Sequence, residues 1–81
     1  MRLDKFLKTA RIIKRRSLAK EACERGVVFV NGRVAKAGTQ VRPGDRVTIR
    51  FGTREMRFEI LETRDNVPAK EAGTLYRHLD K

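Results

Sequence analysis

The sequence predicts an α+β domain: two short N-terminal helices packed on a small, mostly antiparallel sheet, followed by a C-terminal helix. Three observations predict it. Apolar residues recur at helical spacing through about residue 25, and the period then switches to two across residues 27–60. Between the first two β-rich runs stands Asn31-Gly32, the pair that a two-residue hairpin turn favours.

Each element has its own signal. Leu3, Phe6, Leu7 and Ala10 fall on one face of a helix over residues 2–10, and Asp4 lies in its first turn, where the positive helix end favours an acid. Residues 11–16 connect to the next helix, with Ile12 and Ile13 expected to anchor the connection in the core. Ser17 is the expected N-cap of a second helix over 18–25, with Leu18, Ala19, Ala22 and Cys23 as its apolar stripe and Gly26 as its left-handed C-cap. Val27-Val28-Phe29-Val30 and Arg33-Val34-Ala35-Lys36 are the arms of the hairpin. Arg42-Pro43-Gly44-Asp45 reads as a tight turn, with Pro fixing φ and Gly taking the positive φ. Val47, Ile49 and Phe51 alternate with polar residues, Gly52-Thr53 turns the chain, and Met56, Phe58 and Ile60 alternate again. In the tail, Pro68 suits a first helical turn. There Ala72, Leu75, Tyr76 and Leu79 would share a face, and Glu71, Arg77 and Lys81 would complement the dipole.

Eighty-one residues make one domain with a modest core. A single cysteine, Cys23, gives neither a disulfide framework nor a multi-cysteine metal site, and core packing is its expected role. No apolar run reaches the length of about eighteen residues that a membrane span needs, and Met1-Arg2-Leu3-Asp4-Lys5 does not lead into a signal-peptide core. A cytoplasmic protein with no membrane partner is expected.

Charge points to the partner. The net charge is +10, and it is segregated. Residues 1–25 hold nine Lys or Arg against three acids, residues 26–50 hold five against one, and residues 51–81 hold six against six. The whole excess lies in the first fifty residues, the footprint of a polyanion-binding surface. Lys14, Arg15 and Arg16 precede the second helix, where free amides and the dipole favour a phosphate. Arg2, Lys5, Lys8 and Arg11 extend the basic surface along the first helix, Lys20 along the second, and Arg33 and Lys36 onto the hairpin. Asp4, the acid among them, reads equally well as a helix-end charge paired with Arg2 or as an acceptor for a base amino group or ribose hydroxyl.

Catalytic chemistry finds little support. His78 is the only histidine and has no obvious acid or nucleophile beside it, and phosphate-loop, dinucleotide and metalloprotease motifs are missing. No catalytic group, metal or cofactor is expected. Two short helices with clustered arginines suit the shape and backbone of folded RNA better than a DNA major groove. Phe6, Phe29, Phe51 and Phe58 all fall on apolar faces, so stacking platforms for single strands are not expected.

The run Arg2-Leu3-Asp4-Lys5-Phe6-Leu7, the cluster Arg15-Arg16-Ser17 with Ala19, the stretch Gly26 to Gly32, and Val41 with Pro43-Gly44-Asp45 and Val47 together resemble the ribosomal-protein S-four domain, or αL motif. The likeness covers about residues 1–52 and implies an αL-type RNA-binding domain. Arg2 to Lys8, Ile13-Lys14-Arg15-Arg16 and Leu18-Ala19-Lys20-Glu21 are similar to the RqcP family, stand-alone relatives of heat-shock protein fifteen. A monomer is the default expectation, and that resemblance implies a factor of ribosome-associated quality control. It would bind large ribosomal subunits obstructed by peptidyl-tRNA, touch large-subunit rRNA and the P-site tRNA, and support alanine tailing with an RqcH-type factor. Carried over residue by residue, it implies rRNA contacts at Arg2, Asp4 and Arg16. The expected division is an RNA-binding domain over 1–62 and a C-terminal helical tail over 63–81. Residue chemistry alone leaves open a general RNA-binding module acting in recycling, assembly or RNA regulation.

Overall fold

The structure is a computed structural model that describes residues 1–79. Helix α1 spans Leu3–Thr9 and α2 spans Arg16–Glu24. Strands β1 (Val28–Val30), β2 (Arg33–Val34), β3 (Arg46–Phe51) and β4 (Arg54–Ile60) follow, then a 3₁₀ helix (Ala69–Leu75) and β5 (Tyr76–His78). The five strands form one antiparallel sheet in the order β2-β1-β3-β4-β5.

Period-two patterning fixes the face on which the helices lie. Val28, Val47, Ile49, Phe58 and Ile60 point inward and are buried with Leu3, Phe6, Leu7 and Ala10 of the α1 region and Ala19 and Cys23 of α2. Phe6 stacks near Phe58, with ring centroids 6.3 Å apart, and Phe58 meets Tyr76 edge-on at 5.3 Å. This aromatic column runs from α1 through β4 to β5.

The turns obey their sequence signals. Asn31 and Gly32 have φ of 52° and 84°, and Val30 pairs with Arg33 across a two-residue loop, as a type I′ turn requires. The Asn31 side chain also accepts the Arg46 amide and donates to Asp45, joining the hairpin to the start of β3. In the Arg42–Asp45 turn the Asp45 amide donates to the Arg42 carbonyl at 3.1 Å, and Gly44 has φ 97°.

Four expectations are corrected. Helix α2 begins at Arg16, with Arg15 as an N-cap that makes no side-chain bond, so Ser17 sits inside the first turn. Leu18 is 45% exposed because Ala19 and Cys23, four residues apart, hold the buried stripe and leave it on the rim. Phe51 is 52% exposed, since β3 runs past the core at its last residue, and Phe29 is half-buried beneath the Arg50 guanidinium at 5.2 Å. The C-terminal helix is a 3₁₀ helix that stops at Leu75, and Tyr76–His78 pair with β4, so Tyr76 and Leu79 share no helical face. Thr74 donates its hydroxyl to the Glu71 carbonyl at 2.7 Å, and Gly73 lowers the helical preference, which together favour the tighter turn. Lys81, expected at the helix end, lies outside the described residues.

Both α-helices end in the same hydrogen-bond motif. After α2, the Gly26 amide donates to Cys23 and Val27 to Ala22; after α1, Arg11 donates to Lys8 and Ile12 to Leu7. Gly26 takes the left-handed position in one, at φ 77°, and Arg11 in the other, at φ 58°. A non-glycine residue there costs about 1–2 kcal/mol, and glycine's greater freedom in the unfolded chain returns about 0.5–1 kcal/mol of that. Arg11→Gly is therefore expected to stabilise the fold by about 0.5–1 kcal/mol, read as a higher urea midpoint. A lower midpoint would show that the Arg11 side chain holds the turn.

Candidate RNA-binding surface

The N-terminus of α1 is tied down before it reaches the site. Leu3 and Asp4 donate their amides to the carbonyls of Thr39 and Ala37, Arg2 bridges to Gln40, and the Val41 amide donates to the Met1 carbonyl. Amides that a helix start leaves free are thus taken by the loop after β2.

This anchoring buries the Asp4 side chain, which is 3% exposed. Its oxygens accept from the Lys5 amide at 2.8 Å, from Arg2 Nε and Nη2 at 3.2 and 3.3 Å, and lie 3.4 Å from Arg16 Nε. No buried side-chain polar atom among the described residues lacks a partner. The arginine side chains stay 48% and 49% exposed. One buried carboxylate therefore holds two half-exposed guanidiniums, one from the N-cap of α1 and one from the start of α2. Arg2 also lies against Gly38, 3.8 Å from where a Cβ would stand, so the loop after β2 walls this centre.

Burial pushes the Asp4 carboxyl up. The hydrogen bonds from Arg2, Arg16 and the Lys5 amide, with the Arg16 charge, outweigh burial and hold its pKa below the ordinary aspartate value. Cys23, buried in the core, has its thiol pushed up by burial and by the charges of Asp4 and Glu24, which leaves it protonated and unreactive.

The other expected residues divide into groups. Lys5 pairs with Asp65 at 3.0 Å, so it ties α1 to the segment before the 3₁₀ helix. Lys8, Arg11 and Lys14 line a cleft of about 410 Å³ together with Thr9, Ile12, Asn66 and Val67. Arg15 is exposed at the N-cap of α2, and Lys20 on its solvent face. The Arg16 and Ser17 amides find no acceptor among the described residues, which leaves the phosphate-favouring helix start open. Arg33 is exposed on β2, and Lys36 follows in the loop that receives α1. Asn66 and Val67 escaped the sequence reading because they lie far along the chain in a neutral segment. The turn-prone pair Asp65-Asn66 was the signal available.

A family model described as the S4 domain matches residues 1–47. The RQC P-site tRNA stabilizing factor of Halalkalibacterium halodurans is 58% identical over 76 residues, covering 94% of this chain and 86% of that protein. The chain belongs to the S4-domain family of RQC P-site tRNA stabilizing factors. The factor of that name from Bacillus subtilis is 47% identical over 76 residues, 94% of this chain and 88% of its own length. Among solved structures, the trimeric Heat Shock Protein 15 of Vibrio cholerae superposes with a TM-score of 0.88 and 41% identity, over 98% of this chain and 81% of that one. Every residue expected at the site from sequence lies inside the S4-domain match, whereas Asn66 and Val67 lie outside it.

A carboxylate with a depressed pKa contributes stability that is present above its unfolded pKa of about 3.9 and is lost as pH falls through the folded value. Asp4→Asn is expected to cost about 1–3 kcal/mol at neutral pH, from weakened charged hydrogen bonds. The gap to the wild type should narrow as pH drops below about 4. Urea unfolding across that range checks this; a gap independent of pH would contradict it.

Proposed function

We propose that this chain is an RNA-binding factor of ribosome-associated quality control, acting on large ribosomal subunits obstructed by peptidyl-tRNA. The observation that carries this reading is the Asp4 centre, where a buried carboxylate presents Arg2 and Arg16 together beside the open start of α2. Guanidiniums bind phosphate oxygens through paired N–H donors, and holding two of them in place beforehand lowers the ordering cost of binding. Asp4 acts through the arginines, since its oxygens are occupied and buried.

Around this centre, Lys8, Arg11, Lys14, Arg15, Lys20, Arg33 and Lys36 have no acidic partner among the described residues and are free to meet phosphates. In this reading residues 1–62 carry the RNA contacts, the large-subunit rRNA takes the Asp4 centre, and the P-site tRNA lies within reach of the remaining cations. The names of the relatives support the tRNA assignment. The factor works as a cytoplasmic binding protein without a cofactor. By holding the tRNA it supports alanine tailing of the stalled chain by an RqcH-type factor.

Arg16→Ala is expected to weaken co-sedimentation with large subunits by about ten- to a hundredfold, the effect of losing a charged hydrogen-bonding group, while circular dichroism stays native. Unchanged co-sedimentation would reject the assignment. Contact with about five to eight phosphates predicts a log–log salt slope of roughly −4 to −7, and a flat salt response would remove the electrostatic basis of binding.

A further inference from the structure

The cleft at the C-terminal end of α1 has features that backbone gripping alone leaves unused. Its volume of about 410 Å³ is several times what one phosphate needs and lies in the range of small-ligand sites. Lys8, Arg11 and Lys14 line it, and no acid does. None of the three is ion-paired among the described residues. Its apolar lining is Ile12 and Val67, both half-buried and packed against the core. Asn66 lines the cleft as well, and its exposed side chain makes no hydrogen bond among the described residues.

Two walls of this cleft are held in unusual backbone. Arg11 and Asn66 both adopt left-handed φ, 58° and 53°, although neither is glycine. Asn tolerates that region better than most residues, and Arg does not. Arg11 makes no ion pair or side-chain hydrogen bond among the described residues that would offset its cost, and backbone strain of this kind gathers at binding sites. The exposed Lys5–Asp65 ion pair at 3.0 Å links the segment that carries Asn66 to α1, and residues of both line the one cleft.

We infer that the cleft is a nucleotide pocket that takes one unstacked nucleotide of an RNA strand. The base lies on Ile12 and Val67, its edge is read by the Asn66 carboxamide, and its phosphates meet Lys8, Arg11 and Lys14. Extruded bases recognised on their edges are the usual route to sequence-selective RNA contact, and a side-chain amide offers a donor and an acceptor together. The inference rests on the RNA-binding reading above and adds selectivity to it. It also gives the segment beyond the S4-domain match a part in the RNA site.

The test is a titration of the full-length, nitrogen-15-labelled protein with adenosine 5′-monophosphate, followed by two-dimensional NMR. Saturable shifts are expected at the amides of Lys8, Arg11, Ile12 and Val67 and at the Asn66 side-chain amide. Asn66→Gly, which relaxes the backbone at that position, and Asn66→Asp should each weaken binding by about tenfold, the effect of one lost hydrogen-bonding group. Three results would overturn the pocket: shifts spread evenly over the basic surface, equal binding by inorganic phosphate, or full affinity in Asn66→Gly. Co-sedimentation of the wild-type protein with large subunits separates the two readings. If it sediments without binding the nucleotide, the pocket alone falls; if it does not sediment, the RNA-binding reading falls first.

Discussion

A carboxylate taken out of water must be compensated, and in this fold that requirement organises the N-terminal half. Asp4 is buried because its own amide and that of Leu3 dock on the carbonyls of the 37–39 loop. Once there, it needs donors, and it finds them in Arg2 at its own helix start and Arg16 at the next. Desolvation would otherwise cost several kcal/mol. The arrangement therefore couples α1, α2 and the loop after β2 through one charged group. It also fixes two cations whose mutual repulsion would otherwise push them apart. Stability and the presentation of charge depend on the same atoms.

The rest of the molecule shows where charge is not offered. Glu55 sits between Arg50 and Arg57, Glu59 meets Arg77, and Arg64 is flanked by Glu62 and Glu71. Exposed pairs like these add little stability, about 0–1 kcal/mol each. Their effect is on the field: the sheet strands and the segment beyond them are largely neutralised. The neutral balance of residues 51–81 is thus visible as actual ion pairs, while most cations of the helical half keep their charge for a partner. A polyanion approaching this molecule meets one attractive side.

Sequence patterning revealed the elements whose physics is local. The type I′ turn at Asn31-Gly32, the turn at Pro43-Gly44 and the alternation in β3 and β4 each follow from a few neighbouring residues. Resemblance singled out Arg2, Asp4 and Arg16 as RNA contacts, but their mutual ion pairs were not legible beyond Arg2 with Asp4: nothing in the spacing shows that Asp4 is buried or that Arg16 reaches it. What stayed hidden was set by tertiary context. Phe51 alternates correctly yet lies beyond the edge of the core. Tyr76 follows helical spacing, but the open edge of β4 draws it into a strand through Ile60. Arg11 lacks any signal for a left-handed conformation, because the motif that ends α1 ordinarily uses glycine. The Asn66 wall of the cleft is brought in by a long connection whose path no local pattern specifies.

In the proposed function, Asp4 serves RNA binding by orienting Arg2 and Arg16, with no contact of its own. A mutant cycle on purified large subunits tests it directly, comparing the effect of Asp4→Asn in the wild type with its effect in the Arg2→Ala/Arg16→Ala variant. Asp4→Asn is expected to weaken binding in the wild type and to change little once both arginines are gone. An equal loss in both backgrounds would mean that Asp4 touches the RNA itself, and would contradict the account.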